Sequence, residues 1–221
     1  MKISAVLPCY NESGNVKEIA ERLLPFVNEI VFVDDGSDDN TLEEMRSLKK
    51  KNVIIISHEK NMGKGRALKT GFSKASGDII ITIDADMTYP PEYAEKIIEK
   101  LKDYDIVVAS RFSGGIPESL DFSRVIFNIL GSLFMSSLLG IKITDGTSGM
   151  RGFKRNLLAL DAKAEGLNFE VEQTMLAVRK GFRYAEIPIN PKPRKGKSKL
   201  KFWKDLPLFT ATILSARFRK I

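Results

Sequence analysis

The chain has 221 residues with 35 Lys+Arg and 28 Asp+Glu, which gives a formal net charge of +7. The excess lies near the end of the sequence: residues 192–221 hold ten basic residues and one acidic residue, a local charge of +9, which leaves −2 for the other 191. A hydrophobic content of 43% is ordinary for a packed domain and excludes a disordered chain. A basic balance is compatible with nucleic acid, an anionic membrane or phosphorylated ligands, and charge alone does not choose among them.

The single cysteine, Cys9, cannot form an internal disulfide. The apolar run at the N-terminus is too short for the core of a signal peptide. We therefore expect a cytoplasmic location.

Short runs of apolar and β-branched residues recur along the chain, and they are apolar throughout rather than alternating with polar residues. This pattern is typical of strands buried on both faces of a parallel sheet. The predicted strands are Ile3–Leu7, Ile30–Val33, Val53–Ser57, Ile79–Ile83, Ile106–Ala109 and Ala185–Ile189.

Helical patterns lie between these runs. Asn40 with Glu43 three residues later predicts a capping box at the start of one helix. The predicted helices are one carrying Val16 and Ile19, then Thr41–Lys50, Lys64–Ala75 and one that begins at Pro90. The alternation of strand and helix predicts a doubly wound α/β domain, in which ligands bind at the carboxyl ends of the strands.

Two apolar segments follow in the second half. Val125–Ile141 has 17 residues between Arg124 and Lys142, fewer than the roughly 20 that a membrane span needs, so a buried or interfacial helix is predicted. The last predicted helix, Phe202–Phe218, mixes Trp203 and other apolar residues with basic ends, as membrane-interface helices do. Docking of this helix on the protein core is the alternative.

Acidic side chains follow three of the predicted strands. Glu12 follows the first strand, Asp34 and Asp35 end the second, and Asp84 and Asp86 follow the fourth. Taken singly, each cluster is also a common turn or helix start. Together they should meet at one edge of the sheet, where carboxylates repel one another unless a cation lies among them. A divalent Mg²⁺ or Mn²⁺ is the simplest such cation.

The segment 61–67 places Lys64 between two glycines at a predicted helix start. It is not a nicotinamide dinucleotide fingerprint, because Leu68 occupies the third glycine position and the segment follows the third strand. Lys64 in this setting suits a nucleotide or its phosphates. A solvated helix-start turn is the alternative.

In combination, the segments 8–12, 34–41, 61–67 and 84–92 resemble glycosyltransferase family 2 with its GT-A fold. The segments 109–112, 145–150 and 194–199, with Arg124 and Asn128, are similar to the polyprenyl-phosphate glycosyltransferase branch that includes the dolichyl-phosphate mannose synthases. The resemblance covers nearly the whole chain. It implies a Rossmann-like GT-A catalytic domain over residues 1–191 and a basic acceptor loop and amphipathic helix over 192–221. Many relatives carry transmembrane helices after this point, and we expect no transmembrane domain in this chain.

The resemblance also implies roles for individual residues. Asp84 and Asp86 match a metal-binding D-x-D motif, with Asp86 as the direct ligand, and Thr88 stands where mannose synthases often have a glutamine that contacts the metal. The residues that match the nucleoside-binding positions are Pro8, Tyr10, Glu12, Asp34 and Asp35.

The implied reaction is an inverting, metal-dependent transfer of a hexose from a nucleotide-diphosphate sugar to a polyprenyl phosphate. Mannose from GDP-mannose with dolichyl phosphate is the leading version, and UDP-glucose or another UDP-sugar is the nearest rival. An acceptor phosphate with a second pKa of about 6 is largely ionised at neutral pH and needs no strong general base. The only histidine, His58, is therefore predicted to be structural.

The acceptor phosphate needs cations, because it must approach an anionic donor. Arg124 and Asn128 are four residues apart, which predicts that they share a helix face and hold one phosphate between them. Arg111, Arg194 and Lys195 complete the predicted set, and Lys192–Lys204 is predicted to close over the phosphates.

These features predict a peripheral membrane enzyme on the cytoplasmic side that binds no nucleic acid, because the strand ends gather carboxylates. A non-catalytic module for anionic membranes or nucleic acid is the alternative of a different class, and the oligomeric state is left open.

Overall fold

The computed structural model describes residues 1–116, 122–193 and 202–220. Within them the buried apolar runs form one sheet of seven strands in the order β3-β2-β1-β4-β6-β5-β7. The strands are β1 (Ile3–Cys9), β2 (Glu29–Asp34), β3 (Val53–Ser57), β4 (Ile79–Thr82), β5 (Ile106–Ser110), β6 (Arg151–Lys154) and β7 (Tyr184–Pro188). The mostly parallel α/β sheet that the sequence predicts is confirmed.

One strand departs from the parallel arrangement. In the described sheet β6 runs antiparallel between β4 and β5, and the other strand pairs are parallel. The sequence does not predict this strand, because its four residues, Arg-Gly-Phe-Lys, are not an apolar run. Two of its polar or small positions are nevertheless buried, since Arg151 is only 1% exposed and Gly152 lies against Ile81 and Ile97.

Helices cover both faces of the sheet because each central strand is apolar on both sides. In β2, Phe32 faces one hydrophobic cluster, and Val31 and Val33 face the other. The helices are α1 (Val16–Leu23), α2 (Thr41–Ser47), α3 (Lys64–Lys74), α4 (Tyr93–Lys100), α5 (Phe122–Leu139), α6 (Phe169–Arg179) and α7 (Phe202–Phe218), with a 3-10 helix at Arg155–Ala159. Helices α1, α2 and α4 pack on one face, and α3 and α6 pack on the other.

Two predicted helix starts are corrected by the structure. The Asn40 side chain makes no capping hydrogen bond, so the predicted capping box is wrong. Asp39 takes its place, because its Oδ1 accepts a hydrogen bond from the Thr41 N–H at 2.9 Å. Helix α4 begins at Tyr93 and not at Pro90, whose carbonyl accepts the Tyr93 N–H at 3.1 Å in the preceding turn.

Helix α7 docks on the protein, which is the alternative raised for it above. Phe209, Ile213 and Ala216 are buried in a third cluster formed with α5 and α6. The rings of Phe209 and Phe127 meet edge to face, with centroids 5.0 Å apart. Apolar residues turned away from this interface stay exposed, among them Phe218 at 72%. None of the helices in the described ranges has both the length and the apolar character needed to cross a bilayer.

Candidate active site

The segment after β4 carries Asp84 and Asp86 to the carboxyl edge of the sheet. Asp86 is 5% exposed, and its Oδ1 accepts a hydrogen bond from the Thr88 N–H at 3.0 Å. Met87, between Asp86 and Thr88, has a φ of 63°, a left-handed conformation that folds the segment back on itself. This turn holds the Asp86 carboxylate against the backbone of Thr88, two residues after Asp84.

Lys64, at the start of α3, lies between two carboxylates. Its Nζ is 2.6 Å from Asp84 Oδ1 and 2.5 Å from Glu170 Oε1. Burial opposes the charge of this ammonium, but attraction by Asp84 and Glu170 outweighs burial and raises the pKa of Lys64 above its ordinary value. The repulsion expected among the acidic groups is therefore met in part by a lysine.

Gly149 approaches Asp84 too closely to carry a side chain. A Cβ on this residue would lie 2.0 Å from Asp84 Oδ2. The Gly149 N–H donates a hydrogen bond to the Tyr89 hydroxyl at 2.8 Å. Burial raises the pKa of Tyr89 to about 12, so the phenol stays neutral and fixes this loop beside the two aspartates.

The two aspartates that end β2 hold neighbouring loops in place. Asp34 accepts hydrogen bonds from the Ser57 hydroxyl at 3.0 Å and from a backbone amide of its own turn. Asp35 accepts the Gly63 N–H at 2.9 Å and lies 2.7 Å from Nδ1 of His58. Since Gly63 directly precedes α3, Asp35 sets the position of Lys64.

The other residues expected at the donor side lie at the same edge. Pro8 lies in β1 beside Val33, and Tyr10 follows the strand; both are partly exposed. Glu12 is 8% exposed, and its backbone N–H donates to the Thr41 hydroxyl at 2.8 Å.

A second constellation, across the sheet edge, is centred on the fully buried Asp145. The Arg111 guanidinium donates to both Asp145 oxygens, at 2.7 and 2.8 Å. The Asn128 amide donates to Asp145 Oδ1 at 2.7 Å and to the Thr147 hydroxyl at 2.7 Å. Burial opposes the charge of Arg111, but Asp145 outweighs it and raises the pKa of Arg111. The structure thus brings Arg111 and Asn128 together around a shared carboxylate.

Three predicted cationic positions are not described by the structure. Arg124 lies in α5, but its side chain is outside the described part, as is that of Trp203 in α7. Arg194 and Lys195 lie outside the described residues altogether.

The sequence reasoning missed Arg151, which joins two parts of the site. Its Nη1 donates to the Glu170 carbonyl at 2.9 Å, and its Nη2 donates to the Ser148 carbonyl at 2.7 Å. An arginine in a short polar segment reads as a surface residue, so no sequence signal marked it. Its place between α6 and the 145–149 loop fixes Glu170 relative to Asp84.

Two buried acidic residues, Glu170 and Glu172, lie at the start of α6. Glu172, which is 3% exposed, accepts the Ala164 N–H at 2.6 Å and forms an ion pair with Arg219. Arg219 also donates to the Asp161 carbonyl at 3.0 Å. The end of α7 is in this way tied to the 161–166 loop, whose Glu165 carbonyl accepts the Arg66 N–H at the start of α3.

The oxygen donors at the edge fit a hard divalent cation. The described ranges contain no group of three or more His, Cys, Asp or Glu placed to hold a metal by themselves. Mg²⁺ is usually held by one or two carboxylates and completes its coordination with water and substrate phosphates. Asp84, Asp86 and the Thr88 hydroxyl match this incomplete set of ligands.

A sheet whose strands alternate with helices along the chain, and whose carboxyl edge carries acidic residues, has the architecture of a GT-A glycosyltransferase. The model for Glycosyl transferase family 2 matches residues 4–160, which is more than half of the chain. The chain therefore belongs to glycosyl transferase family 2.

Relatives of known name agree on the broad class. A dolichol-phosphate mannosyltransferase of Pyrococcus furiosus is 34% identical over 91% of this chain, which spans 60% of the length of that protein. An undecaprenyl-phosphate mannosyltransferase of Micrococcus luteus is 30% identical, covering 90% of this chain and 88% of its own. A dolichyl-phosphate hexose transferase of Haloferax volcanii is 31% identical, with 90% and 86% covered.

Among solved structures, the glucosyl-3-phosphoglycerate synthase of Mycobacterium tuberculosis in complex with Mn²⁺, UDP and phosphoglyceric acid superposes with a TM-score of 0.79. The match covers all of this chain and 80% of the other at 22% identity. This likeness shows the shared fold.

Proposed function

We propose that this protein transfers a hexose from a nucleotide-diphosphate sugar to a polyprenyl phosphate at the cytoplasmic face of a membrane, with a divalent metal ion. Mannose from GDP-mannose, passed to dolichyl or a similar polyprenyl phosphate, is the leading version. The observation that carries the proposal is the pairing of Asp84 with Lys64 just beyond the carboxyl end of β4, two residues before the buried Asp86. The names of relatives that cover 90% or more of the chain support the acceptor class.

On the donor side, Asp86 and Asp84 would hold the metal, with Thr88 beside them. The bound metal supplies a Lewis acid that neutralises charge on the leaving diphosphate. Lys64 adds a charge-assisted hydrogen-bond donor for the same oxygens. The proposed nucleoside-binding wall consists of Pro8, Tyr10, Glu12, Asp34 and Asp35. Asp34 and Asp35 contribute by fixing the surrounding loops.

On the acceptor side, the cations proposed to bind the lipid phosphate are Arg111, Arg124, Arg194 and Lys195. Asn128 is buried and hydrogen-bonded to Asp145, so its proposed part is to hold the carboxylate that orients Arg111. Arg111 is already oriented by two hydrogen bonds to Asp145, so it loses little side-chain freedom when a phosphate arrives. An oxygen of the ionised phosphate monoester would attack the anomeric carbon directly while the bond from that carbon to the nucleoside diphosphate breaks, so no side chain has to remove a proton.

Membrane contact is proposed for the exposed apolar side of α5 and α7. Leu130 and Leu133 on α5 are 53% and 61% exposed, and Leu208 and Phe218 on α7 are 50% and 72% exposed. Basic residues in the 192–204 segment would add attraction to anionic lipid headgroups.

A UDP-sugar is the second candidate donor. It is favoured by the fold match to a synthase solved with UDP and by Thr88, which stands where the mannose synthases often have glutamine.

The decisive experiment offers labelled GDP-mannose and UDP-glucose in parallel, with Mg²⁺ or Mn²⁺ and a short polyprenyl phosphate, followed by organic extraction. Label in the organic phase from GDP-mannose alone supports the leading version, and label from UDP-glucose alone replaces it. No extractable product from either donor, with the protein folded, would reject both.

A further inference from the structure

Tyr89 is a buried residue that contacts both constellations of the candidate site. It is only 2% exposed, so a ligand does not reach it. Asp84 and Arg111, one from each constellation, keep 27% and 16% of their side chains exposed. Ligands therefore have access to the aspartate and the arginine, whereas Tyr89 acts only through the groups that it contacts.

The Tyr89 hydroxyl acts on the donor side through the backbone of Gly149. It accepts a hydrogen bond from the Gly149 N–H at 2.8 Å. The Gly149 backbone lies so close to the Asp84 carboxylate that there is no room for a Cβ between them. Without the hydroxyl, a buried N–H would lose its acceptor, which is unfavourable and favours displacement of the backbone. The hydroxyl therefore keeps Gly149 against Asp84.

The Tyr89 ring acts on the acceptor side by supporting Arg111. The guanidinium carbon of Arg111 lies 5.7 Å from the centroid of the Tyr89 ring and 5.5 Å from that of the Phe112 ring. A guanidinium within about 6 Å of an aromatic centroid is attracted to the ring. Asp145 fixes the edge of the same guanidinium by hydrogen bonds, so the rings and the carboxylate together set its direction.

We propose that Tyr89 is a positioning residue that holds the donor and acceptor phosphates in register for sugar transfer. Its hydroxyl fixes the Asp84 side of the site through Gly149, and its ring fixes the direction of Arg111. This role rests on the proposed function, in which the diphosphate binds beside Asp84 and the lipid phosphate binds Arg111. The separation of two anions that must meet is then set by one buried side chain.

Two binding measurements test this role without requiring sugar transfer. Binding of Mn²⁺ in the presence of GDP or UDP is followed by electron paramagnetic resonance, and binding of a short polyprenyl phosphate is followed by calorimetry. Tyr89→Phe keeps the ring and removes the hydroxyl. It should weaken Mn²⁺ binding about tenfold, as loss of a residue behind a metal ligand does, and leave binding of the polyprenyl phosphate unchanged.

Phe112→Leu should give the opposite result. It removes the other ring beside Arg111, so it should weaken binding of the polyprenyl phosphate about fivefold and leave Mn²⁺ binding unchanged. Tyr89→Leu removes both the hydroxyl and the ring and should weaken the binding of both ligands. Tyr89→Phe thus restores the acceptor affinity that Tyr89→Leu loses.

Tyr104 provides the matched control at the opposite end of the sheet. It stands just before β5, and its ring centroid lies 5.2 Å from the Lys100 ammonium, so it also supports a cation. Tyr104→Phe and Tyr104→Leu should change neither affinity.

Mn²⁺ binding by Tyr89→Phe that equals that of the wild type would overturn the proposal, and this arm holds even if Tyr89→Leu fails to fold. Equal weakening of both ligands by Tyr89→Phe and Tyr89→Leu would also overturn it, because a general loss of structure would account for that result. Wild-type protein that binds both ligands but forms no extractable product would reject the proposed function, while the two affinities still decide the role of Tyr89.

Discussion

Carboxylates that are buried or partly buried lie at both ends of the sheet, and the two ends neutralise them in different ways. At the amino end, Glu29 accepts hydrogen bonds from the Ser4 hydroxyl and from the Ser76 N–H, both at 2.6 Å, and pairs with Lys2 at 2.9 Å. At the carboxyl end, Asp84 pairs with the Lys64 ammonium, which is shared with Glu170.

The two ends differ in whether the group that neutralises the carboxylate can be replaced by another cation. Hydroxyls and backbone amides at the amino end are fixed by β1 and by the turn before β4, so Glu29 is a structural carboxylate. At the carboxyl end the Lys64 ammonium stands on a long side chain, and the divalent ion proposed above, with its phosphates, would share or take over its role. A structural carboxylate is therefore distinguished from a functional one less by its burial than by its hydrogen-bond donors, which are fixed hydroxyls and backbone amides in one case and a movable ammonium in the other.

The largest effect on stability is expected from removing the lysine ammonium at the carboxyl end, compared with the same change at the amino end. Lys64→Met leaves Glu170 and Asp84 without their shared cation and should lower the free energy of unfolding by about 3 kcal/mol or more. Lys2→Met is the matched change at the amino end, where the lysine is 48% exposed, and should cost less than about 1 kcal/mol. Urea unfolding of both variants measures the difference, and equal losses would break the comparison.

Asp86→Ala should reduce sugar transfer by about 10²–10³-fold, because the leaving diphosphate loses its neutralising ion. Thermal unfolding should stay close to that of the wild type, and Mn²⁺ titration followed by electron paramagnetic resonance should show weaker binding. Asp103→Ala, an exposed aspartate outside the site, is the charge control. Sugar transfer by Asp86→Ala at the wild-type rate would reject the proposed role of an Asp86-bound metal ion on the donor side.

Glu29→Gln sharpens the structural half of the comparison through pH. Burial pushes the pKa of Glu29 upward, but hydrogen bonds from Ser4, Ser76 and Lys2 outweigh burial and lower the pKa from 4.5 to about 2. The ionised carboxylate therefore stabilises the fold above pH 4.5, and this contribution is lost as pH falls towards 2. Over that window wild type should lose about 3 kcal/mol more unfolding free energy than Glu29→Gln. Unfolding free energies are measured for both proteins at pH 5, 4 and 3. A decrease with falling pH that is equal in wild type and Glu29→Gln would contradict this prediction.

The smallest effect on folding is expected at the proposed membrane side. Leu133 is 61% exposed, so Leu133→Ser should change the unfolding free energy by no more than about 0.5 kcal/mol. Sedimentation with vesicles of mixed anionic and neutral lipid should show several-fold weaker binding by this variant. A substitution to serine at Lys51, exposed and far from α5 in sequence, serves as the control. Vesicle binding that is unchanged in Leu133→Ser would place the membrane contact elsewhere.

The sequence predicted most of the parallel core because those strands are buried on both faces and are therefore apolar at every position. The same logic failed for β6, where Arg151 is buried and its two Nη atoms donate hydrogen bonds to carbonyl groups of α6 and the 145–149 loop. These hydrogen bonds depend on contacts between segments far apart in sequence, which a local pattern does not contain.

The candidate site divides in a similar way. Asp84 and Asp86 were recognisable from their spacing after a strand, but the pairing of Lys64 with Glu170 required the packing of α3 against α6. Asp145 was noticed as part of a motif, while its role in orienting Arg111 and Asn128 emerged only from the geometry.

The ion pair between Glu172 and Arg219 has a consequence for how the protein is made. The two residues are 47 positions apart, and the ribosome adds about 5–20 residues per second, so roughly 2–9 s separate their synthesis. During that interval the nascent chain holds Glu172 and the amide of Ala164 but lacks the guanidinium that neutralises the carboxylate. The loop beside the start of α3 therefore reaches its final form late in synthesis, when α7 docks, although six of the seven described strands precede this loop in the chain.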